Sequence, residues 1–406
     1  MIHDFVSLAV IAFIAALAPL IANLIPKKPI PETVLLLVGG AVFGPSLLNY
    51  IWLDESVLFL SDLGCAMLFL LAGFEINPKT ITGREGKRGL VTWLVTLALA
   101  CVVTMGLGTS AFNTPTLEVL AITIALTTTA IGALMPILKE RGLLNTRLGE
   151  SVLAYGTWGE LGPVIAMAVL LSTRAAWLTI LILVVFVAMA VLVAVLGQRA
   201  SKAEHRIFLI LSAGRDTTSQ TFVRVTMFLL IALVAAAAVF NLDIVLGAFA
   251  AGFILRYIVP EGDHLLETKL TAIGYGFLIP LFFVVSGAKI NVLSVASQPL
   301  LLVIFIGLLV LVRALPIFVS MQTDKTPEVQ ELGVRNHAAV ATYCTTALPL
   351  IVAVTTVAVN AGVMKVDIAS VFVTAGALTV FVMPLIASLV YRADKNQSIV
   401  KNTTDE

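Results

Sequence analysis

The chain has 406 residues, of which 59% are hydrophobic and 12% charged, and its net charge is +1. A soluble domain carries about a quarter charged residues, so no sizeable soluble domain fits, and no basic stripe suggests a nucleic-acid partner. Apolar runs recur from end to end, the pattern of an all-α polytopic membrane protein.

In chain order, thirteen apolar stretches are long enough to cross a bilayer, at about 20 residues per span. They cover approximately 5–25, 31–51, 56–75, 89–110, 117–137, 148–172, 176–197, 219–240, 242–258, 267–288, 299–321, 336–358 and 367–391. The first, in MIHDFVSLAV, has no basic region or small-residue cleavage site, so it reads as a retained span. A polar link, 198–218, divides the chain, and a short polar tail, 393–406, ends it. The expected organisation is a transmembrane domain over 1–392, with repeat halves at about 31–172 and 242–391 on either side of a cytoplasmic link. With the N-terminus outside and the C-terminus inside, nearly all loop Lys and Arg fall inside, against Arg174, Lys289 and Lys365 outside. That asymmetry follows the positive-inside rule and supports both count and orientation. Cys65, Cys101 and Cys344 lie within apolar runs without metal-ligand spacing and read as small core residues.

Two of these stretches resemble each other. LTTTAIGALMP, 126–136, lies in the fifth and YCTTALPLIVA, 343–353, in the twelfth. Aligning Thr128 on Thr345 gives an offset of 217 residues, or seven spans. An odd span offset inverts the orientation in the membrane, as inverted-topology transporter repeats require. Each segment carries hydroxyl residues at mid-membrane with Pro136 or Pro349 downstream, a composition that suits an unwound helix. Hydroxyl patches also glue intact helices together; the pairing at inverted topology favours the broken-helix reading.

Charges inside the spans follow. Glu160, in YGTWGELGPV, lies 13 residues after Arg147 and 14 before Arg174, roughly 20 Å from each at about 1.5 Å per residue. That places it near the midplane, where a charge costs roughly 2.5–3.5 kcal/mol on insertion scales and defaults to a functional reading. Gly156, Gly159 and Gly162 free space around it, and Pro163 leaves one carbonyl of the preceding turn without its usual donor. Glu160 reads as a site for a cation when ionised and a proton when neutral; the alternative is a permanently protonated structural Glu. Arg313, in LLVLVRALPIF, is the other deep charge. Its guanidinium does not deprotonate, so it reads as an electrostatic partner, not the proton carrier. The repeat offset puts its counterpart at Thr96, so this charge belongs to one half only. His337, opening the twelfth span, can sense inner-side pH or sit as a hydrogen-bonded interfacial His. Glu150 reads as a polar step on an inner access path or as an interfacial Glu. No phosphate loop, nucleophile elbow or zinc signature appears, so an enzyme is not expected.

The stretches LLLVGGAVFGPSLL (35–48), LGCAMLFLLAGFEINP (63–78), TTTAIGALMPILKERGLLNTRLGESVLA (127–154), VLGAFAAGFIL (245–255) and FLIPLFFVVSGAKIN (277–291) resemble the monovalent cation:proton antiporters, Kef-type potassium efflux systems and their sodium-exchanging relatives. The resemblance implies inverted repeats with two crossed broken helices, here the fifth and twelfth spans. It implies a homodimer, an elevator-type core movement, and a multi-pass location in a prokaryotic inner (plasma) membrane. The carboxylate position matches Glu160; the preceding position, usually Asp, Asn or Gln, is Gly159. The family's basic residue matches Arg313, where Lys is frequent. Bare Gly159 leaves backbone carbonyls, Thr127, Thr128, Thr129, Thr345 and water as the oxygen shell of a transported monovalent cation. One carboxylate exchanging one proton for one Na+ or K+ is electroneutral. No cofactor is implied beyond the transported ions, and Kef-type nucleotide regulation would require a separate subunit. Two other functions stay open: an organic-anion or solute symporter of the same fold, with Arg313 near the substrate, and a non-transporting sensor or channel-like subunit.

Overall fold

The computed structural model describes residues 2–24, 31–76, 83–107, 116–170, 181–182, 184–186, 188–192, 220–240, 242–259 and 264–392. These residues contain helices and turns and no strand. Among the described residues ten helices are long and apolar enough to cross a membrane, and two shorter apolar helices, Glu32–Phe43 and Ile244–Ile258, accompany them. They match twelve of the thirteen expected stretches. Most of the other, 176–197, lies outside the described residues, as do Arg174, the link 198–218 and the tail 393–406.

The chain forms two compact units. Unit 1 comprises Met1–Ile21, Leu35–Pro78 and Met167–Lys289. Its helices include α1 (Ile2–Leu24), α2 (Glu32–Phe43), α3 (Glu55–Glu75), α8 (Thr221–Val239), α9 (Ile244–Ile258), α10 (His264–Ile273) and α11 (Ile279–Ala288). α3 is buried along most of its length and packs on α9 and α11. The crossing with α9 is backbone against backbone: a Cβ on Gly73 would strike the Phe249 carbonyl, and one on Gly252 the Leu70 carbonyl. Small residues let helices approach this closely in lipid, where dispersion and not hydrophobicity drives association.

α2 is shorter than the expected 31–51 span. Gly44 and Pro45 follow Phe43, and a residue before proline is pushed out of the α region. The chain then folds back, with Asn49 at φ 54° and Tyr50 N–H on the Phe43 carbonyl at 2.9 Å.

Unit 2 comprises Ala22–Val34, Lys79–Ala166 and Ile290–Glu406. It contains α4 (Arg84–Leu107), α5 (Thr116–Leu126), α6 (Ile131–Glu140), most of α7 (Arg147–Leu170), α12 (Val292–Ser297), α13 (Pro299–Leu309), α14 (Leu315–Gln322), α15 (Pro327–Gln330), α16 (Gly333–Tyr343), α17 (Leu348–Asn360) and α18 (Val366–Val390). α5/α6 and α16/α17 are the two broken helices. Their interruptions, 127–130 and 344–347, fall at the same register under the 217-residue offset. Pro349 sits in the first turn of α17, where its missing N–H costs nothing. Leu134, Val152, Ile317, Tyr343 and Cys344 pack in one buried cluster that fixes α6, α7, α14 and α16 together. Beyond α14, Asp324 pairs with Arg88 of α4 and accepts from Thr326 N at 2.9 Å. Burial raises its carboxyl, but the Thr326 hydrogen bonds and the Arg88 guanidinium outweigh this and hold it below the usual range.

A π turn, Val310–Ala314, joins α13 to α14, and another, Gly274–Leu278, joins α10 to α11. Each lies two residues before a proline, Pro316 or Pro280. A proline cannot donate to the carbonyl four residues back. Here those carbonyls belong to Val312 and Gly276, inside the turns that widen. One widened turn carries Arg313.

Candidate functional site

Unit 2 brings both helix interruptions against α7. Gly159 is the residue whose carbonyl loses its donor to Pro163, and the Thr129 amide takes that carbonyl at 2.8 Å. Ala130 N–H donates to the Thr346 carbonyl at 2.7 Å, tying the two breaks to each other. The Thr129 hydroxyl donates to the Cys344 carbonyl at 2.5 Å. An unwound helix has orphan backbone groups, and in a membrane each must find a partner inside the protein; these three bonds supply partners across the crossing.

Arg313 reaches into the same place. It is 1% exposed. Its Nε donates to Thr129 Oγ1 and its Nη2 to the Tyr155 carbonyl, both at 3.0 Å. Tyr155 and Gly159 stand one turn apart on α7, so the guanidinium lies along that helix. A Cβ on Gly159 would fall on Arg313 Nη2 and on the Thr129 hydroxyl. Glu160, the next residue of α7, is buried at 4% exposure.

The other hydroxyls at the breaks are all buried. Thr127 donates to the Ile124 carbonyl and Thr128 to that of Ala125, each at 2.8 Å, and Thr345 donates to the Thr342 carbonyl at 2.6 Å. Thr346 Oγ1 is buried with no hydrogen-bond partner. Sequence reasoning passed over this hydroxyl, although the repeat offset pairs it with Thr129. Among the described residues no three His, Cys, Asp or Glu side chains gather into a metal-binding group. The two remaining expected residues stand apart from this crossing. His337 is buried in α16, with Nε2 on the Val329 carbonyl at 2.8 Å. Glu150, in the first turn of α7, is half-exposed and pairs with Arg147 at 2.8 Å.

A family model described as "Sodium/hydrogen exchanger, transmembrane" matches residues 9–393. The chain belongs to the sodium/hydrogen exchanger family. YjbQ of Bacillus subtilis (strain 168) is 26% identical over 419 residues, covering 98% of this chain and 65% of that one. The Methanocaldococcus jannaschii protein named "Probable Na(+)/H(+) antiporter 3" is 26% identical over 296 residues, 71% of this chain and 74% of its own. The glutathione-regulated potassium-efflux system protein KefC of Escherichia coli O139:H28 is 26% identical over 279 residues, 66% of this chain and 43% of its own. This exchanger-family chain thus spans less than two thirds of the length of YjbQ and under half that of KefC. The solved structure of the sodium proton antiporter MjNhaP1 from Methanocaldococcus jannaschii at pH 8 shares the fold, with a TM-score of 0.63 over 95% of this chain and 97% of that one at 17% identity. The exchanger fold is therefore all-helical and multi-pass, with two crossed broken helices, and its family is one of membrane transporters.

Within this chain, Pro163 has a testable role. Pro163→Ala gives the Gly159 carbonyl a second, intrahelical donor that competes with the Thr129 amide. The expected outcome is faster hydrogen exchange of the peptide covering 127–131, with a stability loss of about 1 kcal/mol, the net worth of one hydrogen bond. Unchanged exchange there would remove Pro163 from the architecture of the break.

Proposed function

We propose that this chain exchanges a monovalent cation, Na+ or K+, for a proton, with Glu160 as the one carboxylate for which both compete. The observation that carries the reading is the bond from the Thr129 amide to the Gly159 carbonyl, which holds an unwound helix beside Glu160. An ionised carboxylate beside polar backbone and hydroxyl groups suits an alkali cation; protonation removes the charge that holds it. Competition for one group gives exchange without further machinery, one cation per proton and electroneutral. Hydroxyl and carbonyl oxygens at Thr127, Thr128, Thr129, Thr345 and Thr346 complete the shell. Arg313 is the fixed electrostatic partner. His337 and Glu150 serve inner-side pH sensing and access in this reading. Relatives named for sodium exchange and for potassium efflux support the cation class.

The wider reading is an elevator-type alternating access in which the unit carrying Glu160 and both broken helices moves as the transport body. The protein is a homodimer in a prokaryotic inner membrane, N-terminus outside and C-terminus inside. Reconstituted protein tested against a sodium, potassium and lithium panel is expected to give dye-reported proton flux without net current. A current contradicts the single-carboxylate stoichiometry. Silence to all three ions, with uptake of a carboxylate solute, favours the symporter alternative.

A further inference from the structure

We propose that Gly159 is the positioning residue for Arg313: position 159 is bare so that a guanidinium fills the volume a side chain would take next to Glu160. This rests on the antiport reading of that site. Three observations meet here. A Cβ at Gly159 would clash with Arg313 Nη2 and with Thr129 Oγ1, and would approach Thr129 Cβ to 2.7 Å. The guanidinium is held on two sides, by Thr129 Oγ1 at Nε and by the Tyr155 carbonyl at Nη2. The π turn Val310–Ala314 aims it there.

None of these neighbours has room to yield. Thr129 is fully buried, and its hydroxyl is also bound to the Cys344 carbonyl. Its amide is bound to Gly159 itself. Tyr155 and Gly159 belong to one helix, so their spacing is fixed. A side chain at 159 and this pose of Arg313 are mutually exclusive. The exclusion has a chemical consequence. The group packed on Gly159, the residue before Glu160, carries a permanent positive charge that takes no part in proton traffic, where a polar side chain at 159 would have offered a second ligand. Position 159 thus acts on the ion through position 313.

The test is a double-mutant cycle in the full-length protein: Gly159→Ala, Arg313→Lys and the two combined. Lysine ends where the guanidinium carbon sits, carries the charge as a single ammonium and leaves the Nη2 position empty. Two readouts are taken, the thermal midpoint in detergent and the apparent KM for sodium or potassium in proteoliposomes. Gly159→Ala is expected to lower the midpoint and to raise KM by about tenfold or more. Adding Arg313→Lys is expected to recover part of both, so that the double variant outperforms Gly159→Ala. If Gly159→Ala cannot be purified folded, recovery of the double variant supports the proposal and its equal loss overturns it. A wild-type-like Gly159→Ala, or strictly additive effects, overturns it as well. The midpoint cycle stands apart from transport: coupling there, in a protein that moves no alkali cation, upholds the seat for Arg313 and sinks the antiport reading instead.

Discussion

Glu160→Gln is expected to abolish cation-dependent proton flux and to leave the protein folded. Glutamine keeps the size of the side chain and offers an amide oxygen, but it neither ionises nor releases a proton. A pair of unit charges about 4 Å apart is worth about 4 kcal/mol at an effective dielectric of about 20. That is nearly three decades of cation affinity, so flux is expected to fall by about 1,000-fold or to background. Glu160 is 4% exposed in the middle of α7. The substitution therefore removes a buried ionisable group, and the thermal midpoint holds or rises. Proton flux into proteoliposomes under a sodium or potassium gradient, measured beside the thermal midpoint, checks both halves. Undiminished exchange by the variant takes Glu160 out of the mechanism.

Gly252→Ala is expected to produce a large loss of stability from a single methyl group. Its Cβ would strike the Leu70 carbonyl oxygen, with the Phe74 amide nitrogen 2.8 Å and the Leu70 carbonyl carbon 2.9 Å away. These are backbone atoms of α3, so no rotamer change relieves the contact and the two helices must separate. Overpacking a tight core costs about 1–3 kcal/mol where side chains can adjust; here the upper end, about 3 kcal/mol, is expected. Gly276→Ala is the matched control. It has nothing within 4 Å of a built Cβ, and alanine there is expected to leave the thermal midpoint unchanged or slightly raised. Equal behaviour of the two variants would mean that α3 and α9 do not meet backbone to backbone.

Much of this protein is legible along the chain because a bilayer imposes local rules. Helices such as α3, α7 and α18 announce themselves by length and apolarity alone. The breaks at 127–130 and 344–347 were marked by paired threonines, a downstream proline and a constant offset. Pro163 marked one carbonyl on the preceding turn of α7 as short of a donor, and the structure shows the Gly159 carbonyl taken by the Thr129 amide. Where a local signal was missed, it was proline again: Pro45 ends α2 well before the apolar run stops. Thr346 shows a different limit. Its sequence signal equals that of Thr345, and only packing decides that Thr345 bonds back onto its own helix while Thr346 does not.

The amino-acid order by itself determined that this is a helical membrane protein of the exchanger type, with an acid and a guanidinium deep in its spans and two helices built to unwind. Those properties depend on residues a few positions apart, through propensity, missing donors and the cost of burying polar groups. The tertiary structure alone decided which groups meet: that the Thr129 amide finds the Gly159 carbonyl, that the Ala130 amide finds Thr346, and that Arg313 lies in the space of an absent side chain. Together these pairings join α7, the two breaks and a π turn from segments far apart in the chain. No local pattern encodes the rotation and spacing of packed helices, and those set which of several competing donors and acceptors come within reach.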